Sequence, residues 1–253
     1  VPTAFITGGA KRIGKAISQR LAAAGHNIAL HYNSSAEPAR LLAQELGDTH
    51  GINTTILQCD LAVEDDVSHL IEQAAQALGT PIDCLINNAS LFEADAWDTA
   101  DTDLWHHHHA VNLRAPYLLS RAFALQAPKA ASPAIINILD QRVWNLNPQF
   151  FSYTLSKSAL WTMTQTLAQA LAPDIRVNGV GPGPVLQSIH QDASVFEAEA
   201  QGTPLAQSVE PDEIAQACLY LLKAKKVTGQ MIAVDSGQHL GWRTPDIEGG
   251  HDD

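Results

Sequence analysis

Seven short apolar runs, spaced by helical segments, constrain this chain more than any single motif. The runs lie at 2–7 (PTAFIT), 27–32 (NIALHY), 52–58, 82–86, 134–139, 175–180 and 230–234. Helical patterns between them cover 13–24, 36–47, 64–78, about 101–127, a stretch around 153–172, and 211–223. Strands separated by helices need crossover connections, and crossovers of one hand place the strands in a parallel sheet covered on both faces. The expected fold class is α/β, a doubly wound parallel sheet. The chain has 253 residues and shows no internal repeat, low-complexity segment or linker. Residues 1–253 therefore read as a single domain, with a polar, Gly-rich tail over 236–253 whose end is expected to be mobile.

Charge excludes one class of partner. With 15 basic and 27 acidic residues the formal charge is −12, so no basic field exists to release counterions from nucleic acid. No apolar run approaches a membrane span. The opening segment reads directly as a strand, so no signal peptide is expected, and the absence of an initiator Met leaves room for residues upstream of Val1. Cys59, Cys84 and Cys218 are odd in number, far apart and set among apolar residues. They read as buried free thiols of a cytoplasmic protein, with neither a disulfide framework nor a metal site.

In such a sheet, ligands bind at the carboxyl ends of the strands, and the candidate motifs fall there. Between the first strand and the first helix lies Thr7-Gly8-Gly9-Ala10-Lys11-Arg12-Ile13-Gly14. Glycines allow close backbone approach, and the helix start offers free N–H groups to a diphosphate. The second strand ends in His31-Tyr32-Asn33-Ser34-Ser35, with no carboxylate before Glu37. A carboxylate there would hold an NAD ribose diol and repel a 2′-phosphate. Hydroxyls and an amide facing Lys11 and Arg12 instead favour NADP(H). The third strand ends at Cys59-Asp60-Leu61, the fourth at Asn87-Asn88-Ala89-Ser90, and the sixth at Gly181-Pro182-Gly183-Pro184-Val185. Tyr153 and Lys157 are four apart and share a helix face. An ammonium beside a phenol is expected to lower the tyrosine pKa and make it a proton donor or acceptor near neutral pH.

Together Thr7-Gly8…Gly14, Asp60, Asn87-Asn88-Ala89, Asn112, Tyr153-x-x-x-Lys157 and Pro182-Gly183 resemble the short-chain dehydrogenase/reductase family over nearly the whole chain. The resemblance implies a Rossmann-type sheet of about seven strands, a nicotinamide cofactor and a homotetramer. It implies that Asp60 with Leu61 meets the adenine and that Asn88, Ala89 and Ser90 line the adenine ribose side. Lys157 would bind the nicotinamide ribose beside Tyr153, Asn112 would help hold a proton-relay water, and Pro182, Gly183 and Val185 would line the cofactor. Gly8, Lys11, Arg12, Ile13, Tyr32, Asn33, Ser34 and Ser35 complete the expected cofactor contacts.

Two departures from the family pattern narrow the substrate. Arg12 stands where the family usually has glycine, and Asp140 stands where it usually has its catalytic serine. With Ser90, Phe92, Tyr153 and Lys157, these look like the pteridine reductases and the related dihydromonapterin and dihydrofolate reductases. Reduction of a pterin C=N bond needs a hydride at carbon and a proton at nitrogen. Asp140 could orient the ring's amino groups and relay a proton when protonated. Phe92 would stack on the flat heterocycle, and Arg12 would bridge the diphosphate and the pterin edge. Trp144, Asn145 and Phe150 would line the pocket, and 186–204 would form a substrate lid. The catalytic set is thus Asp140, Tyr153, Lys157 and Asn112, and the substrate set Arg12, Phe92, Asp140 and Tyr153. A carbonyl reductase of the same fold, with Asp140 replacing the hydroxyl, is the alternative. A non-catalytic nucleotide sensor is a third reading, opposed by Asn112, Tyr153 and Lys157. The run His106–His109 is expected on an exposed or interface surface, and Trp105 with Val111, Leu118 and Leu119 on a helix face packed between subunits.

Overall fold

The computed structural model describes residues 1–99, 101–127, 132–187 and 192–242. Seven parallel strands form one sheet: β1 (Thr3–Ile6), β2 (Asn27–Tyr32), β3 (Thr54–Gln58), β4 (Cys84–Asn87), β5 (Ala134–Ile138), β6 (Arg176–Pro182) and β7 (Met231–Val234). Their spatial order is β3-β2-β1-β4-β5-β6-β7, and every pairing is parallel. The order reverses between β1 and β4, which opens a crevice at the carboxyl ends of those strands.

Side-chain alternation builds both faces. In β1, Ala4 and Ile6 point to one side and Phe5 to the other. The first side packs on α1 (Arg12–Ala23), α2 (Ala36–His50) and α8 (Pro211–Lys223), through Ile17, Leu21, Leu42, Leu46, Ile214 and Leu221. The second packs on α3 (Glu64–Leu78), α5 (Ala115–Gln126) and α6 (Phe151–Ala170), through Val67, Leu70, Leu119, Phe123 and Ala168. All three cysteines are free and buried. Burial pushes the Cys59 thiol to about 11 and the Cys218 thiol to about 12, so neither is a ready nucleophile. No described helix is long and apolar enough to cross a membrane.

The helix expected over 101–127 is not continuous. It runs as α4 (Thr102–His109), a π-turn (Ala110–Arg114) and then α5. Two expectations fall with it. Leu118 and Leu119 are core residues against the sheet, and Val111 packs on the same core, so they do not form an intersubunit face. Within the histidine run His106 and His107 are exposed, but His108 is fully buried. The π-turn shifts the helical phase of the residues after it, while His108, ahead of it, turns inward to bond Ser152 Oγ of α6. Of the expected lid, 193–201 forms α7 (Ala193–Gln201), while 188–191 lies outside the described residues. The end of the expected tail, 243–253, lies outside them as well.

Candidate active site

The Gly-rich turn is built from the β1 end outward. Thr7 Oγ1 accepts the backbone N–H groups of Asn88 and Ala89, both at 2.9 Å. Asn88 Nδ2 donates to Thr7 O at 2.8 Å and to Gly8 O at 3.3 Å. Gly8 lies in the left-handed region at φ +60, where glycine has no steric penalty. A Cβ on Gly14 would stand 2.1 Å from Gly8 O and 2.7 Å from Asn88 Nδ2. Gly14→Ala is therefore expected to cost about 1–3 kcal/mol by overpacking and to weaken dinucleotide binding. Thermal melts with and without NADPH check both effects.

The donor set suits a diphosphate. Helix α1 has no side-chain cap and no acid in its first turn, so its N–H groups and dipole are available to an anion. Lys11 and Arg12 are exposed beside it. At the end of β2, Asn33 and Ser34 are exposed, with Tyr32 and Ser35 half-buried. Asp60 is half-buried at the end of β3 and turns its Oδ1 to the N–H of Ala62 at 2.9 Å. At the end of β6, a Cβ on Gly183 would stand 2.6 Å from Asp235 Cα, so the backbone there runs hard against the β7 end. Pro182 and Val185 are buried on either side of it.

His31 adds a ligand-end residue outside the expected site set. It is 2% exposed. Its Nδ1 accepts the Gly8 N–H at 3.1 Å, which leaves Nε2 to donate to Cys59 O at 3.1 Å. One neutral imidazole thereby ties the turn after β1 to the ends of β2 and β3. Burial lowers its pKa against the pull of Cys59 O and Asp60. Its signal in the sequence was only a polar residue inside an apolar strand.

Arg12 occupies the left-handed region at φ 50, which explains why glycine is the common choice there. The conformation carries strain and aims the guanidinium across the crevice. Its Nη1 and Nη2 donate to Gln187 O and Leu186 O, both at 3.1 Å. Arg12 thus links the Gly-rich turn to the segment after β6.

The reactive cluster stands at the end of β5 and on α6. Tyr153 Oη donates to Asp140 Oδ2 at 2.8 Å. Asp140 Oδ1 accepts the Arg142 N–H at 2.8 Å. Lys157 Nζ donates to Ile138 O at 2.8 Å and lies 5.8 Å from the centre of the Tyr153 ring. Phe92 stacks on Phe150 at 4.2 Å and meets the Tyr153 ring edge-on at 4.7 Å. Arg142 sits 5.1 Å over the Phe150 ring. Trp144 packs against Trp161 and His239, and Asn145 Nδ2 donates to Gln238 O at 3.4 Å. The described start of the tail therefore packs on the 140–145 loop.

Asn112 sits in the π-turn, fully buried. Its Oδ1 accepts from Leu91 N (2.8 Å) and Ser90 Oγ (3.2 Å), and its Nδ2 donates to Leu91 O (2.9 Å) and Ser156 Oγ (3.1 Å). All four hydrogen-bonding positions of the side chain are taken. It binds the Ser90-Leu91 loop to α6 and has no side-chain capacity left for a relay water.

Electrostatics reverse one expectation. Tyr153 is pushed well above the ordinary phenol range, first by burial, then by the charge of Asp140 and the hydrogen bond it gives to that group. Arg142 and Ser90 oppose this shift. Lys157 was expected to lower the tyrosine, but its ammonium points to Ile138 O while the carboxylate sits on the phenol. Burial also raises Asp140, against the Arg142 N–H, the Tyr153 hydroxyl and the charges of Arg142 and Lys157. Lys157 falls to about 8, through burial opposed by Asp140. Since kcat/KM reports groups of the free enzyme, it is expected to decline as pH rises past about 8 and the ammonium is lost. A pH–rate profile of the wild type against Lys157→Arg, whose cation does not titrate there, checks this.

A family model described as enoyl-(acyl carrier protein) reductase matches residues 8–239. The chain is 33% identical over 244 residues to the uncharacterized oxidoreductase YmfI of Bacillus subtilis, covering 94% of this chain and 98% of that one. It is 30% identical over 284 residues to pteridine reductase 1 of Leishmania tarentolae, covering 94% and 96%. Among solved structures, FolM alternative dihydrofolate reductase 1 from Brucella canis, complexed with NADP, matches at a TM-score of 0.93 and 46% identity, covering 97% of each chain.

Proposed function

This chain belongs to the short-chain dehydrogenase/reductase family, and within it we propose a reductase of the C=N bond of a dihydropterin or dihydrofolate. It is an oxidoreductase and its cofactor is NADP(H). The observation that carries the substrate class is the Asp140 carboxylate, in place of a hydroxyl, accepting the Tyr153 proton at 2.8 Å beside the Phe92 ring. The relatives named for dihydrofolate and pteridine reduction support the same class.

When bound, the nicotinamide supplies the hydride to the substrate carbon. The chain's own residues manage the proton. In this reading protonation of Asp140 at Oδ2 reverses its hydrogen bond with Tyr153, so that Tyr153 Oη gives its proton to the substrate nitrogen while Asp140 Oδ2–H replaces it and no phenolate is left in a buried site. The raised Asp140 pKa brings that acid closer to working pH than the phenol. Lys157 holds the nicotinamide ribose and fixes the charge balance around Asp140. The Gly8–Gly14 turn and the α1 N-terminus take the diphosphate, with Asp60, Asn88, Ala89, Gly183 and Val185 along the rest of the dinucleotide. Asn33, Ser34, Ser35 and Lys11 take the 2′-phosphate, while Arg12, aimed across the crevice toward Leu186 and Gln187, lies between the diphosphate and the pterin edge. Asn112 fixes the Ser90-Leu91 loop and hence Phe92, which stacks on the pterin.

NADPH is expected to bind at least ten-fold more tightly than NADH, about 1.4 kcal/mol, and Asn33→Asp to erase that preference. Fluorescence titration of both cofactors checks it, and equal wild-type affinities would reject this reading of the β2 end. The substrate test follows NADPH consumption with dihydrobiopterin, dihydromonapterin, dihydrofolate and an activated ketone side by side. Turnover of the ketone alone would overturn the pterin assignment. We also propose that the enzyme is cytoplasmic and a homotetramer, built from this one chain as a single domain. Buried free thiols and the exposed Tyr117 beside His106 and His107 support that reading, and light scattering tests the assembly.

A further inference from the structure

Helix α6 carries Tyr153 and Lys157 but has a poor start of its own. Its N-cap, Phe150, is left-handed at φ 54 and offers no side-chain cap. The free N–H groups are satisfied from the loop between β4 and α4. Ser152 N donates to both carboxylate oxygens of Asp95, at 3.2 and 3.1 Å, and Phe151 N donates to Asp95 O at 3.3 Å. An acid at a helix N-terminus also complements the dipole.

A polar chain, buried at Ser152 and His108 and half-buried at its Asp95 and Glu93 ends, extends from this cap. Ser152 Oγ bonds Asp95 Oδ2 and lies 2.6 Å from His108 Nδ1. His108 Nε2 accepts the backbone N–H of Glu93 at 3.3 Å. An acceptor at Nε2 puts the single ring proton on Nδ1. Nδ1–H then donates to Ser152 Oγ, whose own proton goes to Asp95. Every donor has one acceptor, and the chain runs one way from the Glu93 N–H to the Asp95 carboxylate. Ser152 and His108 are both 0% exposed. Burial favours the neutral imidazole, helped by His107 and His109 and opposed by Asp95 and Glu93. The His108 ring also meets the Tyr153 ring edge-on at 6.1 Å.

We propose that His108 is a positioning residue for the reductase reaction: through Ser152 and Asp95 it clamps the loop of residues 91–95, with Phe92, onto the α6 turn that carries Tyr153. The proposal rests on Phe92 meeting the substrate and Tyr153 supplying its proton. The platform and the proton donor come from different segments, and a small drift between them is felt directly in catalysis. Asp95, Ser152 and His108 fix that separation with directional bonds, of which the His108–Ser152 bond is fully buried, where such bonds are strong.

The test compares His108→Leu with His108→Gln. Leucine fills the space and makes neither bond, whereas glutamine keeps one donor and one acceptor. For His108→Leu, the dihydropterin KM is expected to rise about ten-fold and kcat to fall about ten-fold, with NADPH affinity unchanged. Amide exchange at Glu93 and Ser152 should accelerate by about ten-fold or more. His108→Gln should recover most of both effects. Wild-type kinetics in His108→Leu, or NADPH affinity falling in step with activity and melting temperature, would overturn the clamp. If His108→Leu fails to fold, Ser152→Ala breaks the same chain and must give the same split. A wild type inactive on every dihydropterin would sink the proposed function alone. The exchange and NADPH-binding arms would still decide the clamp, since unchanged exchange at Glu93 and Ser152 removes it.

Discussion

Tyr153→Phe is expected to lower kcat on a dihydropterin by about 10²–10⁴-fold while leaving NADPH affinity nearly intact. Phenylalanine keeps the ring that packs edge-on against Phe92 and His108 and deletes only the proton donor. The loss has a secondary consequence at Asp140. The Tyr153 hydroxyl is one of the groups holding the Asp140 pKa down, so its removal leaves that carboxyl still more readily protonated. Protonated Asp140 is then a substitute donor, and the residual activity of Tyr153→Phe should climb as pH falls. Steady-state kinetics across pH, with NADPH binding measured in parallel, checks both parts. Near-normal turnover in Tyr153→Phe would move the proton source to Asp140 or to water.

Asp140→Ser is expected to cost the dihydropterin reaction about 1.5–3 kcal/mol, the loss of a hydrogen bond to a charged group, or roughly one to two decades in kcat/KM. On an activated ketone the same change restores the family's serine and should preserve or improve turnover. It also has a spectroscopic signature. The charge of Asp140 and its hydrogen bond with Tyr153 both raise the phenol pKa, so Asp140→Ser should bring tyrosinate absorbance in at lower pH. A variant that loses ketone activity yet keeps full dihydropterin activity would overturn the assigned substrate class.

The sheet was legible because its cause is local. Each strand is an apolar run, each crossover a helical pattern, and the handedness rule supplies the rest. The ligand end was legible for the same reason, since Gly8, Asn88 and Gly183 all follow strands directly. What failed depended on helical phase or on three-dimensional neighbours. The π-turn at Ala110–Arg114 leaves no mark in the apolar spacing, so Leu118 and Leu119 read as an interface, while His108 read as one of four surface histidines because its partner Ser152 lies far along the chain. The sign of the Tyr153 shift depended on where Lys157 Nζ points, and four-residue spacing is silent on that. Asp95 was invisible because its partners Phe151 and Ser152 lie far along the chain.

Arg12 and Phe150, both left-handed, stand at the two starts of the helices that serve the crevice. Glycine at either place would relieve roughly 1–3 kcal/mol of strain. It would also restore chain freedom to the unfolded state, at roughly 0.5–1 kcal/mol, and forfeit the Arg12 bonds to Leu186 and Gln187 or the Phe150 stack on Phe92. These terms oppose one another, so exchange with glycine changes folding stability by less than the strain alone implies. Both side chains reach toward the crevice, so variation at either is answerable to ligand handling as well as to folding. In homologous chains, drift between glycine and larger side chains at these two positions should track changes of substrate.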